Sequence, residues 1–165
     1  MMSNETMELW QKVEKTEEGL IREVKEIDGK KLKSIAPINK IKKATELWGS
    51  YGAKWGLKQI KHSEQKLFQS LILGVMDAVF FYPNGDEVVE FEISNSIPIV
   101  SQKEKQLSVN MTYRKAIETD TIGKALSRLG FNADLYTDGE LMESGEQEAQ
   151  IEEMDLIQIG GDKND

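Results

Sequence analysis

Residues 67–93 read LFQSLILGVMDAVFFYPNGDEVVEFEI, and this stretch decides the fold. Both alternating faces of Leu67–Tyr82 are mostly apolar, which predicts a strand whose middle is covered on both sides. Asn84-Gly85 is a strong hairpin signal, because these residues tolerate the positive φ of a tight turn. The run EVVEFEI that follows alternates apolar and acidic residues and predicts the antiparallel return strand.

A helix is predicted before this hairpin, in PINKIKKATELWG. Pro37 suits its first turn and Gly49 suits its C′ position. Lysines lie on or beside the face opposite its apolar stripe. That stripe is Ile38, Ile41, Ala44 or Thr45, and Trp48.

A second helix is predicted after the hairpin, in NMTYRKAIETDTIGKALSRLG. Asn110 can cap its start and Gly130 can end it. Gly123 in its interior costs about 1 kcal/mol against alanine, so we expect it to mark a close backbone contact. The predicted buried stripe is Ile122, Ala125, Leu126 and Leu129.

The start of the chain adds a predicted helix in ETMELWQKVEKT and a short strand in KKLKSIAP. No crossover separates the two strands of the hairpin, so the sheet is antiparallel and the fold class is α+β. The length of 165 residues predicts one domain. We expect residues 1–136 to form its core and residues 137–165 to form an acidic, partly disordered tail.

Charge is segregated along the chain although the net charge is −8. Residues 29–66 contain ten lysines and two acids, whereas residues 133–165 contain eleven acids and one lysine. Such a pattern is typical of a polyanion-binding body with an acidic tail, and it is also compatible with a solvated lysine-rich face. The tail either solubilises the protein or competes with a polyanion for the lysines.

Several classes of protein are disfavoured by composition. The absence of cysteine excludes disulfides and cysteine-based zinc or catalytic sites. The first residues, MMSNETMELW, do not resemble a secretory signal, and the longest apolar run is too short to span a bilayer. We therefore expect a cytoplasmic protein.

Catalysis has little support in the sequence. His62 is the only histidine, and no phosphate-binding G-K-[ST] motif is present. Asp77 followed by Glu90 and Glu92 resembles the acidic pair of a restriction-type nuclease, but the lysine that such a site needs two residues after the second acid is absent. The sequence predicts a protein that is not an enzyme and needs no metal or cofactor.

The segment WGSYGAKWGLKQIK at 48–61 combines aromatic residues with lysines. Lysines neutralise phosphates, and aromatic rings stack on bases with about 1–3 kcal/mol per base. Stacking requires bases that are not already in a duplex, so the segment favours single-stranded nucleic acid. The alternative is that Trp48 and Trp55 are core residues, which we favour for Trp48, and that Tyr51, Lys54 and Lys58 contact the ligand.

Three segments together resemble the phage branch of the Rad-fifty-two superfamily of single-strand annealing proteins. They are INKIKKATELWGSYGAKWGLKQI, the hairpin with its D-A-x-F-x-Y…G-D-E rhythm, and above all KAIETDTIGKALSRLGFNA. The resemblance covers roughly residues 30–136. It implies a β-β-β-α core with a three-stranded sheet, and a ring or filament that pairs complementary strands without ATP in phage recombination and repair.

The resemblance also implies where DNA binds. Single-stranded DNA is expected in a basic groove against the long helix, where Lys124 keeps one basic position of the family motif. Gly123 and Ser127 replace two others, Arg128 follows immediately, and Asn39 stands where relatives carry arginine. The expected DNA-binding residues are Lys40, Lys42, Lys43, Tyr51, Lys54, Lys58, Lys61, Arg114, Lys124 and Arg128.

The implied partners are single-stranded DNA, further copies of the chain, and a phage exonuclease or single-strand-binding protein, in the cytoplasm of the host cell. Two other functions remain open from the residues themselves. One is a passive coat for single-stranded DNA that does not promote pairing. The other is a protein-interaction or inhibitor module whose lysines meet an acidic partner.

Overall fold

The computed structural model describes residues 7–27, 30–68 and 70–136, so the predicted tail at 137–165 lies outside the described residues. The helices are α1 (Glu8–Val13), α2 (Pro37–Trp48) and α3 (Tyr113–Arg128). The strands are β1 (Ile21–Ile27), β2 (Lys30–Ile35), β3 (Gly56–Phe68), β4 (Leu71–Asn84), β5 (Glu87–Lys103) and β6 (Gln106–Val109). Short 3₁₀ turns span Glu18–Leu20 and Ala133–Tyr136.

The fold class is α+β, as predicted, but the sheet differs from the expected three strands. β3, β4, β5 and β6 form a four-stranded antiparallel sheet in that order, and β1 pairs only with β2 in a separate hairpin. The predicted strand KKLKSIAP is therefore β2 and lies outside the main sheet. Within the described residues, β3 forms one edge of the main sheet and β6 the other.

The strand predicted over Leu67–Tyr82 is divided between two strands. Phe68 ends β3 and pairs with Leu71, the first residue of β4, so the chain reverses there. Apolar residues continue on both sides of this reversal, and the Gln-Ser pair between them is a weak turn signal. The second reversal is the predicted hairpin: Asn84 pairs with Glu87, and Gly85 has φ +61°.

One face of β4 is buried, and most of the other face is half-buried or exposed. Met76, Ala78 and Phe80 belong to the hydrophobic core, on the side where α3 covers the sheet. On the opposite face, Val79 is half-buried and Asp77 is exposed. The prediction that β4 is covered on both sides is wrong for the described residues, and we call the second side the open face.

α3 covers the sheet at close range. An added Cβ at Gly74 of β4 would lie 2.8 Å from Cδ2 of Tyr113, so glycine lets the first turn of α3 approach the strand. The predicted residues Ile122, Ala125 and Leu126 are buried. Leu129 is half-buried against the core, and Ile117 and Thr121 join the buried face.

Two details of the helices were predicted wrongly. Ile38 was expected on the apolar stripe of α2 but is 66% exposed, because the buried side of the helix runs through Lys40 and Ala44. Gly123 was expected at a close backbone contact. It is buried, but no atom outside its own helix backbone and its two chain neighbours lies within 4 Å of an added Cβ.

Candidate nucleic-acid interface

A row of lysines follows the β3 edge of the sheet. We define the β3 lysines as Lys54, in the turn before the strand, and Lys58, Lys61 and Lys66 within it. All except the half-buried Lys58 are exposed, and Glu64 is the one acid in this stretch. Within the part of the chain that the structure describes, no hydrogen bond or ion pair engages the side chains of Lys54, Lys61 or Lys66. These three ammonium groups are available to an anionic ligand.

Lys58 is placed differently from the other β3 lysines. It forms an ion pair with Glu90 of β5, and its ammonium lies 5.7 Å from the ring centroid of Phe81 on the intervening strand. The side chain of Lys58 thus extends across β4 on the open face, where its ammonium contacts Phe81 and Glu90. A phosphate would have to compete with Glu90 for this cation, so Lys58 contributes less to anion binding than its position suggests.

Lys61 also points to the open face, because it pairs with Asp77 across the strands. This face is opposite the one that α3 covers, where Met76 and Phe80 are buried. Lys58 and Lys61 therefore do not line a groove against the long helix, contrary to the arrangement that the family resemblance implies. Lys58 and Lys61 share this face although they are three positions apart, because the register of β3 against β4 shifts at an irregularity between them.

The aromatic residues of 48–55 form part of the core. Trp55 is fully buried and its Nε1 donates a hydrogen bond to the carbonyl of Gly49 at 2.9 Å. Trp48 is half-buried, with its ring centroid 5.8 Å from Trp55 and 5.4 Å from Phe131. The interpretation of both tryptophans as core residues is confirmed.

Tyr51 keeps an accessible surface. It is 39% exposed, and its ring packs edge-on against Trp55 at 5.1 Å. Burial, and secondly the negative charge of Glu118 on α3, raises the pKa of Tyr51, so its hydroxyl stays protonated at neutral pH. Tyr51 remains a stacking candidate at the base of β3, with only part of its ring available.

The lysines of α2 do not form the expected exposed face. Lys40 is 3% exposed, and its ammonium donates a hydrogen bond to Ser127 Oγ of α3 at 2.6 Å. The expectation that Lys40 lies opposite the apolar stripe is wrong, because a long side chain can bury its stem between helices while its head finds a partner. Lys42 is exposed and lies 3.8 Å from Glu46, four residues along the helix.

Lys43 has a structural role in this fold. Its ammonium donates to the carbonyls of Val13, at 3.0 Å, and Lys15, at 2.8 Å, just where α1 ends. Burial lowers the pKa of Lys43, and the charges of Asp134 and Glu17 oppose that effect. A cation at a helix C-terminus satisfies carbonyl groups that have no partner within the helix. Lys43 therefore holds the N-terminal segment and offers little to an external ligand.

The basic residues of α3 lie in three environments. The Nε of Arg114 donates to the hydroxyl of Tyr113 at 3.2 Å, which raises the pKa of Arg114, with the charge of Glu64 acting in the same direction. Lys124 is half-buried, and Arg128 is exposed in the last turn. The ten predicted residues thus do not share one surface. Tyr51, Lys54, Lys58 and Lys61 lie in or just before β3, and the others lie on α2 and α3.

A polar network between β5 and α3 was not predicted. Asn95 Nδ2 donates to Asp120 Oδ2 at 2.8 Å and lies 3.3 Å from Thr121 Oγ1, whose hydroxyl donates to the carbonyl of Ile117 at 2.6 Å. Asn95 and Thr121 are buried. Asp120, the acid of the T-D pair in the family motif, was the only signal, and its partner Asn95 on β5 is distant in sequence. Lys66 was likewise left out of the expected binding residues. It lies farther along the same edge, but it pairs with Ile72 and so points to the face that α3 covers, opposite Lys61.

The residues that were considered for catalysis are dispersed. His62 is exposed on β3, Asp77 pairs with Ser94, and Glu90 pairs with Phe81, so the two acids are not cross-strand neighbours. Among the described residues, no group of three or more histidine or acidic side chains is placed to hold a metal ion. No helix in that part of the chain is long and apolar enough to cross a membrane.

No protein-family model, characterised protein or solved structure matches the chain.

Proposed function

We propose that this protein binds single-stranded DNA and anneals complementary strands without ATP, as a member of the phage annealing family that its sequence resembles. The observation that carries the proposal is the row of β3 lysines along an exposed sheet edge. Three of them form no ion pair among the described residues, and Lys61 and Lys66 project to opposite faces of the edge. A linear row of cations suits a linear polyanion, and counterion release makes such binding favourable at low salt.

The surroundings of this row favour contact with the DNA backbone over contact with the bases. Trp48 and Trp55 are committed to the core, and Tyr51 offers part of one ring. A strand held mainly through its phosphates keeps its bases exposed to a complementary strand, which annealing requires. The same lack of stacking surface predicts little sequence preference.

Three lysines without an ion pair give one copy a modest affinity, so annealing by this surface requires several copies on one strand. Linking sites along one ligand raises the overall affinity without new contacts. We therefore propose a homo-oligomer, a ring or filament, as the active form. A phage exonuclease or single-strand-binding protein as an additional partner, and the host cytoplasm as the location, stay predictions from the resemblance.

Binding to an oligo-dT labelled with a fluorophore tests the proposal through its salt dependence. Three phosphate contacts predict a slope of log K against log salt of about −2, which is a loss of about 20-fold in affinity between 50 and 200 mM salt. Lys61→Gln removes one contact and should reduce the slope to about −1.4. Lys12→Gln is the matched control: Lys12 is an exposed lysine that pairs with Glu8 on α1, and its loss should leave the slope unchanged.

The proposal is wrong if oligo-dT does not bind at low salt, or if Lys61→Gln and Lys12→Gln have the slope of the parent protein. Annealing itself is measured by mixing complementary oligonucleotides that carry a donor and an acceptor dye. The protein should accelerate duplex formation, whereas a passive coat should slow it. That comparison separates an annealing protein from a passive coat for single-stranded DNA.

Protein binding is the second candidate, and a specific observation favours it. On the open face, Lys58 is paired with Glu90, Lys61 lies opposite Asp77, and Val79 is half-buried. A face that mixes both charges with apolar side chains is less suited to a polyanion than to a protein surface. Failure of single-stranded DNA to bind, with a folded protein, would favour this candidate.

A further inference from the structure

The acidic C-terminal segment matches the β3 lysines in charge. Residues 137–165 contain ten acids and one lysine. Among the β3 lysines, three form no ion pair within the described chain and can bind carboxylates of the segment: Lys54, Lys61 and Lys66. Opposite charges in one chain attract each other intramolecularly, so dilution of the protein does not weaken their interaction.

The segment follows Phe131, which belongs to the same aromatic cluster as the residue before β3. The described chain ends at Tyr136, in a 3₁₀ turn where Asp134 accepts hydrogen bonds from the backbone and hydroxyl of Thr16 at 2.7 and 2.6 Å. Phe131, just before this turn, contacts Trp48 at 5.4 Å. Trp48 contacts Trp55 at 5.8 Å, and β3 begins at the next residue.

The length of the segment is sufficient to follow the whole strand. β3 has 13 residues and is about 43 Å long at roughly 3.3 Å per residue. The 29 residues after Tyr136 reach up to about 95 Å when extended. This reach is about twice the length of β3, so the segment can place carboxylates beside Lys61 and Lys66.

We propose that residues 137–165 bind the β3 lysines of the same chain and thereby compete with external polyanions for this edge. A tethered ligand meets its site at an effective concentration on the order of millimolar, so weak ion pairs are enough to occupy it at low salt. Longer polyanions displace the segment because they offer a denser row of charges. The contact between segment and strand is independent of the proposed function, and only its consequence for DNA binding rests on it.

Lysine labelling in the full-length protein tests this contact without DNA. The protein is treated with an acetyl ester of N-hydroxysuccinimide at about 20 mM salt, and acetylation rates of individual lysines are measured by mass spectrometry. A variant with five tail carboxylates neutralised is compared with the parent. Its substitutions are Glu143→Gln, Glu146→Gln, Glu148→Gln, Glu152→Gln and Glu153→Gln.

Neutralising the tail should raise the acetylation rates of Lys61 and Lys66 about threefold or more. The reference is Lys105, an exposed lysine in the β5–β6 turn at the other edge of the sheet, whose rate should not change. At about 0.5 M salt, where the Debye length is about 4 Å, the difference between the two proteins should disappear. Equal rates for Lys61 and Lys66 at low salt in the two proteins, or an equal increase at Lys105, would overturn the proposal.

Carbodiimide cross-linking decides whether the contact lies within one chain. A mixture of ¹⁵N-labelled and unlabelled protein is cross-linked, and peptides that join a β3 lysine to a tail carboxylate are analysed. Cross-linked peptides whose two halves carry the same isotope support the proposal. Peptides with one labelled and one unlabelled half show contact between copies and contradict it. If the labelling result is as expected but oligo-dT does not bind the tail-neutralised variant, the proposed function fails and the contact stands.

Discussion

Replacing Gly130 by alanine tests how the N-terminal segment is attached to the core. Gly130 has φ +94°, and an added Cβ would lie 2.4 Å from Cδ2 and 2.5 Å from Cε3 of Trp10. The left-handed backbone costs an L-residue about 1–2 kcal/mol. The indole must also move away, and the loss of part of its packing adds about 1–3 kcal/mol, since Trp10 is half-buried. We expect Gly130→Ala to lower the free energy of unfolding by about 2–5 kcal/mol.

Gly85→Ala is the matched control for backbone strain. Gly85 has φ +61°, but no atom lies within 4 Å of an added Cβ, so this variant should lose only about 1–2 kcal/mol. Urea unfolding followed by circular dichroism gives both free energies by linear extrapolation. In a Trp10→Ala background, Gly130→Ala should cost no more than Gly85→Ala, because the clash has been removed. Equal losses for Gly130→Ala and Gly85→Ala in the parent background would refute the contact between Gly130 and Trp10.

Substitutions at three further positions are measured by the same urea titration. Gly123→Ala should raise the free energy of unfolding by about 1 kcal/mol, because a helix interior prefers alanine and the site has room for its methyl group; a loss would mean that the space is filled in the native protein. Lys43→Met should cost about 1–3 kcal/mol, because the carbonyls of Val13 and Lys15 lose a charged donor, and an unchanged value would contradict the role assigned to Lys43. Asn95→Leu should lower the free energy of unfolding by about 1–3 kcal/mol, because it removes the donor to Asp120. Asn95→Asp should also destabilise the protein, because it places two carboxylates together.

Short-range chemistry made the central turn and the ends of α2 predictable, but not the start of α3, where Thr112 and not Asn110 is the N-cap residue. Asn84-Gly85, Pro37 and Gly49 each act through their own backbone preferences, and the structure has the hairpin and the bounds of α2 where the sequence placed them. The sequence was less informative about strand number. The run Leu67–Tyr82 keeps its alternation through a reversal, and a polar strand such as β3 lacks the apolar pattern that identifies strands.

The candidate site was predicted only in part for a similar reason. The lysines were correctly identified as a local excess of positive charge, but their spacing could not show which of them the fold uses internally. Lys40 donates a hydrogen bond to Ser127, and Lys43 donates to the carbonyls at the end of α1. Lys54 and Lys61 remain exposed. These partners are 28 to 87 residues away in the chain, beyond the reach of any helical or strand period.

The sequence by itself determined the α+β class, the central hairpin, the two amphipathic helices and the separation of basic and acidic segments, because each depends on neighbouring residues. Only the tertiary structure decided which lysines face solvent, that the sheet has an open face, and that the β3 row lies at an edge. Those properties depend on strand order and register, which are set by packing between residues far apart in the chain. A shift of one residue in register would turn Lys61 to the face that α3 covers.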